Sequence, residues 1–174
     1  MSESPPPPPK LRATPLAQPF RVVLIEPEIP PNTGSIARTC AATSTSLHLV
    51  GKLGFKIDAQ SVRRAGLDYW HLVDVSRHEA LVDFERAYPA AGLHFFSGDA
   101  ERSYLDAPFE PGDALVFGKE SVGLPRELLE ANRERTWGIP MSGAVRSLNL
   151  SNAVAIVLFE ALRRAGGLAP TFRG

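Results

Sequence analysis

Four polar side chains, Ser142, Arg146, Ser147 and Asn149, crowd the stretch "IPMSGAVRSLNLSN" (residues 139–152), directly ahead of an amphipathic helix. A helix start uses one such residue as its cap, so capping by Asn149 or Ser151 leaves most of the group unexplained. Hydrogen-bonding groups at that density suit the grip on a polar ligand. Two other stretches share this character. In "EPEIPPNTGSIARTC" a proline-rich loop passes through Asn32, Thr33 and Gly34 into a helix. Asn32 or Thr33 can cap that helix, and the N–H groups at its start would suit a phosphate. Arg38 follows one turn in. Either it serves an anionic substrate, or it is a surface arginine paired with Glu26 or Glu28, an arrangement worth about 0–1 kcal/mol. In "LVFGKESVGLP" a buried strand runs into Gly118, where the backbone can approach a ligand closely, and then into Glu120, Gly123 and Pro125. The plain alternative there is a strand–turn–helix link.

Commoner chemistries do not fit. No G-x-G-x-x-G follows the first strand and there is no phosphate-binding P-loop. A G-x-S-x-G nucleophile elbow is absent as well. His48, His71, His78 and His94 are scattered without metal-ligand spacing, and Cys40 is the single cysteine. A disulfide framework and a zinc cage are therefore excluded, and no metal is expected; one lone cysteine fits a reducing cytoplasm. Lys and Arg number 19 against 19 Asp and Glu, so any binding of nucleic acid must come from a local patch.

The elements that must hold these stretches alternate in kind. "FRVVLI", "SLHLV", "LHFFS" and "ALVFG" read as buried strands, with "TWGIP" a last short one. Between them "GSIARTCAAT" and "RHEALVDFERAY" read as helices. In the final helix Leu150, Val154, Val157, Leu158, Ala161 and Leu162 form one stripe, ended by Arg163, Arg164 and Gly166. Alternating strands and helices predict an α/β domain, its mostly parallel sheet covered by helices on both faces. No apolar run is long enough to span a bilayer and no charged-then-apolar leader precedes the core, so no membrane partner is expected. Residues 1–19 hold seven of the sixteen prolines and predict a disordered, dispensable tail. Residues 20–166 form the expected folded domain, and 167–174 a flexible end.

In this order the stretches "EPEIPPNTGSIART", "RRAGLDYW", "FGKESVGLP" and "IPM…RSLNLSNAV" resemble the SPOUT family of RNA methyltransferases. The likeness is to its small members of the TrmL type, which methylate the ribose 2′-hydroxyl at the tRNA wobble nucleotide, cytidine or modified uridine. It covers Phe20 to Arg164. Ser35 stands where the family commonly has asparagine, and Ser44 where it often has glycine.

The resemblance implies a C-terminal segment threaded through a loop as a trefoil knot, an arrangement that general topology rules would not propose. It implies S-adenosylmethionine held in the knot loops, with Phe96, Gly118, Ile139, Met141 and Ser147 as contacts. It implies Arg38 as the catalytic group, with Asn32, Arg146, Asn149 and Asn152 orienting RNA or cofactor. It further implies a homodimer acting on tRNA, with Arg63, Arg64, Arg126 and Arg146 as local basic groups. A sister activity on another tRNA position or on ribosomal RNA, and a non-catalytic RNA-binding domain, are the competing readings.

Overall fold

Strands buried on both faces need continuous apolar runs, and "VVL", "LHL" and "ALVF" supply them at the centre of the sheet. In the protein, a computed structural model, residues 10–56 and 70–173 are described. Their elements run β1 (Lys10–Ala13), β2 (Arg21–Ile25), α1 (Pro30–Thr43), β3 (Ser46–Val50), β4 (Val75–His78), α2 (Leu81–Ala87), β5 (Leu93–Phe96), β6 (Ala114–Phe117), α3 (Arg126–Ala131), β7 (Thr136–Trp137), α4 (Leu150–Arg164) and β8 (Pro170–Arg173). Strands β2 to β7 form one sheet in the order β4-β3-β2-β6-β5-β7, every neighbouring pair parallel. Of the stretch "RRAGLDYW", all but Trp70 lies outside the described residues, as do Arg63 and Arg64.

Register turns alternation into two cores. Val22 pairs with Leu47 and Leu115, and Leu24 with Leu49 and Phe117. These side chains share one face with Ile36, Ala37 and Cys40 of α1 and with Val154, Val157, Leu158, Ala161 and Leu162 of α4. The intervening Val23, Phe95 and Val116 face the other way, onto Phe84 of α2 and Leu128 and Leu129 of α3. Helices therefore cover both faces, and the predicted stripe on α4 is the buried one. Among the described residues no helix is long and apolar enough to cross a membrane.

The chain ends depart from expectation. Instead of two unstructured ends, Lys10–Ala13 pairs with Pro170–Arg173 in a two-stranded antiparallel ribbon. Each end alone is too short and too poor in apolar residues to signal a strand, and the two partners lie some 160 positions apart in the sequence. Between ribbon and sheet, Leu16 packs against the core, and a side chain at Gly167 would press on Leu16 and Leu162.

Candidate active site

Parallel sheets bind ligands beyond the carboxyl ends of their strands, where neighbouring connections diverge. Here that point lies between β2 and β6. From β2 the chain crosses through α1 to β3 on one side; from β6 it crosses through α3 to β7 on the other. The two diverging loops are stitched together by polar contacts. Lys119 Nζ donates to Glu26 Oε2 at 2.6 Å. The Ser121 N–H and hydroxyl donate to the Glu28 carboxylate at 2.9 and 3.0 Å. Those two bonds hold the Glu28 carboxyl below the usual carboxylate range, and the bond to Glu26 raises the Lys119 ammonium.

The start of α1 is built differently from the prediction. The helix begins at Pro30, not at Gly34; Ile29 is its N-cap and no side chain caps it. A proline fits the first turn because the N–H it lacks would have no helical partner. Asn32 and Thr33 thus lie inside the first turn, and their N–H groups reach the Ile29 carbonyl. Nor is the helix end left open for a phosphate. The Glu120 carboxylate sits there, accepting from the N–H of Glu28 at 2.8 Å, the N–H of Ile29 at 3.2 Å and Asn32 Nδ2 at 3.1 Å. An anion is favoured at that position, and the chain supplies its own.

Asn149 joins the third stretch to the other two. As the N-cap of α4 its Oδ1 accepts from the N–H of Ser151 and Asn152, at 2.9 and 3.4 Å, and from the Ser151 hydroxyl. Its amide must therefore present Nδ2 on the other side, where it donates to Asn32 Oδ1 at 3.0 Å. Asn32 then has only its own Nδ2 to offer Glu120. Because a carboxylate can only accept, the direction of every bond in the chain Asn149–Asn32–Glu120 is fixed from both ends.

Beside this chain lies a cavity of about 480 Å³. Its apolar wall is Phe96, Phe117, Trp137, Ile139 and Leu150, with the Phe96 and Phe117 rings stacked at 4.8 Å. Its polar rim carries Ser97, Asp99, Glu120, Ser121, Arg146, Ser147 and Asn149. Of the ten site residues singled out by sequence, eight line it: Asn32, Phe96, Gly118, Ile139, Met141, Arg146, Ser147 and Asn149. Arg38 and Asn152 do not. Arg38 lies on the exposed side of α1, about 12 Å along the helix from Pro30 at 1.5 Å per residue. Asn152 is likewise exposed, in the first turn of α4.

Gly118 is required for a reason other than ligand approach. A β-carbon there would lie 2.1 Å from the carbonyl carbon of Gly123 and 2.2 Å from the N of Leu124, because the loop folds back on its own start. Gly123 itself has φ +73°, the left-handed region that favours glycine. Sequence reading missed Asp99 and Trp137 as lining residues. The signal for Asp99 was available, since "SGD" directly follows a buried strand; Trp137 read only as part of a short strand.

An apolar wall with a polar rim at a switch point of a parallel sheet defines a ligand-binding α/β enzyme domain. The chain belongs to the SpoU rRNA methylase family, which matches residues 19–159. A tRNA (cytidine(34)-2′-O)-methyltransferase of Burkholderia ambifaria is 47% identical over 152 residues, covering 84% of this chain and 96% of the relative. A structure solved in work on 2-OH methylation of C/U34 on tRNA superposes with a TM-score of 0.78 at 46% identity, covering 84% of this chain and 96% of that one. The SpoU methyltransferase AviRb of Streptomyces viridochromogenes, in complex with AdoMet, gives a TM-score of 0.70 at 28% identity, covering 86% of this chain and 62% of that one.

Proposed function

We propose that the protein methylates the ribose 2′-hydroxyl of the wobble nucleotide of tRNA, cytidine or modified uridine, using S-adenosylmethionine. The observation that carries this reading is the cavity itself, whose lining draws on three of the four resembling stretches. The wobble position follows the tRNA-acting relatives at 47% identity rather than the wider family label.

The cavity fits the cofactor. Its volume is in the range of sites for ligands of several hundred daltons. Gly98 and Gly118 bring bare backbone to its edge, where peptide groups can read a base. Phe96, Ile139 and Met141 would wall the nucleoside, and Gly118 and Ser147 would supply polar contacts. Bound S-adenosylmethionine supplies an electrophilic methyl on a sulfonium.

The acceptor oxygen must lose a proton as the new C–O bond forms. The guanidinium of Arg38 offers donors and no acceptor, so its role here is to hold an oxygen rather than to take its proton. Its planar donor fork suits clamping a phosphate and stabilising the oxygen as it gains negative charge. The Asn149–Asn32–Glu120 chain holds the three loops in register, and Arg146 at the rim orients RNA.

A homodimer reconciles this role with Arg38 lying off the cavity. On α1 the exposed positions Pro31, Ser35, Arg38 and Ala42 form one stripe, and on α4 so do Asn152, Ile156 and Phe159. Ile156 and Phe159 are large apolar side chains 38% and 46% exposed. A second copy packed on this face would cover them and carry Arg38 and Asn152 into the shared site. Residues 20–166 form the catalytic domain, and the return of α4 onto α1 after β7 is consistent with a trefoil knot. The site of action is the cytoplasm, where tRNA is.

Single-turnover transfer of labelled methyl to unmodified tRNA, followed by mapping of the modified nucleotide, tests the reading. Methyl on the wobble ribose is expected. Transfer confined to ribosomal RNA or to another tRNA position would replace the substrate, and cofactor binding without transfer would leave only an RNA-binding domain.

A further inference from the structure

A second cavity, of about 740 Å³, adjoins the first, and Ser97, Asp99 and Val122 line both. Buried Leu124 and half-buried Leu129 give it apolar lining. Three exposed arginines, Arg102, Arg126 and Arg133, are met by three exposed glutamates, Glu101, Glu130 and Glu134. Arg126 is already paired with Glu130 at 2.8 Å. With Asp99 on the shared wall the charge balance is negative, so the place has no net attraction for a phosphate. Apolar lining among balanced polar groups suits a flat, uncharged ring with hydrogen-bonding edges instead.

One residue of this lining is held in a single pose. The Arg102 guanidinium lies over the Trp137 ring, with Cζ 4.5 Å from the ring centroid, and an N–H at its edge donates to the Glu134 carbonyl. Its main chain is pinned as well. The Gly138 N–H donates to the Arg102 carbonyl at 2.8 Å and the Tyr104 N–H to the Gly138 carbonyl at 2.9 Å, so residues 102–104 run alongside the end of β7. The guanidinium is thus bonded in its plane and covered on one face by the indole. Arg102 is nonetheless exposed and lines the second cavity, which leaves the other face of the plane open. Trp137, beneath it, lines the first cavity. This one stacked pair therefore has a member in each cavity.

We propose that the second cavity takes a nucleobase flanking the methylated nucleotide, stacked on the open face of the Arg102 guanidinium. This rests on the reading that the substrate is tRNA, acted on in a loop whose bases are unpaired. Proteins hold such splayed bases on aromatic rings and on arginine planes. Stacking of this kind tolerates any base, so Arg102 would fix the course of the strand past the cofactor cavity without reading its sequence. Because Trp137 and Glu134 already hold the plane in the free protein, little side-chain freedom is lost when the base arrives.

The test pairs changes in the protein with changes in the RNA. Unmodified tRNA is assembled with an abasic site at each anticodon-loop position in turn, the wobble nucleotide excepted. Its binding to the full chain is measured with S-adenosylhomocysteine present, and single-turnover methyl transfer is followed alongside. One abasic position should weaken binding to the wild type by about tenfold, the scale of one stacked base. Arg102→Ala should cost the same factor with intact tRNA and nothing further with that abasic tRNA. Arg102→Lys keeps the charge but not the plane and should behave like Arg102→Ala. The transfer rate at saturating tRNA should be unchanged in both variants. The abasic series on the wild type decides the matter even where a variant is unstable. Absence of any sensitive position, losses that multiply in the combined experiment, or full rescue by lysine would each overturn the platform, the last by making Arg102 a plain charge contact. If wild-type protein binds tRNA and transfers no methyl, the functional reading fails separately, and the coupling between Arg102 and the missing base still decides this one.

Discussion

Asn32→Asp changes one atom type in the fixed chain of amides and should be far more damaging than its size suggests. The new carboxylate can still accept from Asn149 Nδ2, but it can no longer donate to Glu120, whose oxygen lies 3.1 Å from Nδ2 in the native protein. Losing a hydrogen bond to a charged group costs about 1.5–3 kcal/mol. Two carboxylates at that distance repel by about 5 kcal/mol at an effective dielectric constant near 20, and Asn32 is only 8% exposed, so water screens the pair poorly. The pair escapes most of this by keeping one proton, which raises a carboxyl pKa in the folded state. A raised folded pKa gives stability below that pKa which is lost as pH rises through it. The variant should therefore be about 3–5 kcal/mol less stable than wild type at pH 8 and should recover most of that by pH 5. Asn32→Ala is the control. It leaves Glu120 on its two backbone N–H donors and, losing the same charged bond, should cost about 1.5–3 kcal/mol independently of pH. Urea unfolding of all three proteins at pH 5 and pH 8 is the assay. Equal stability of the two variants at both pH values would refute the assigned bond directions.

Arg38→Ala should slow single-turnover methyl transfer by about 100-fold or more with cofactor affinity nearly intact, and Arg38→Lys should recover only part of the rate, because the planar fork is lost; a wild-type rate in either variant would end the assignment. Gly118→Ala should lower stability and cofactor affinity together, since the added carbon meets backbone at 2.1 Å, and calorimetry with thermal melts reads both. Stability of the wild type should fall as pH drops from about 6.5 toward 4. Burial foremost, then His78 and Arg21, push the His48 imidazole down to about 4 from 6.5, so the unfolded chain takes up the proton first. His48→Leu should flatten that part of the pH–stability curve, whose full depth is about 3 kcal/mol at 1.36 kcal/mol per pKa unit. Burial pushes the Cys40 thiol up to about 12, so iodoacetamide at pH 8 should label the protein only after unfolding, as read by mass spectrometry.

The sheet was legible because its central strands are apolar on both faces, and only helices on both sides can cover such runs. The α4 stripe was legible as well, and the cap was narrowed to Asn149 or Ser151, of which Asn149 caps the helix. The beginning of α1 was not legible. Pro30 and Pro31 read as loop, yet a first helical turn tolerates proline, so Asn32 moved from cap to interior. Glu120 was visible as a residue but not as the partner of that turn, because the two are 88 positions apart and no local pattern links them. Gly118 was singled out for close approach to a ligand, whereas the backbone it approaches is that of its own loop. The terminal ribbon was hidden for a related reason: "KLRA" and "PTFR" acquire strand character only from each other.

The distances in sequence spanned by the Asn149–Asn32–Glu120 chain also order events in time. The bonds join positions 88 and 117 residues apart, and β2 finds its neighbour β6 only after the intervening α1, β3, β4, α2 and β5 have been made. Parallel pairings of this kind are slow because long loops must close before any contact rewards them. On a ribosome, β2, α1 and β3 emerge well before Arg146 to Leu150, which complete the cavity. A nascent chain therefore has no finished cavity until the segment between β7 and α4 has been made, and ligand binding there reports the arrival of that segment as well as the folding of the sheet.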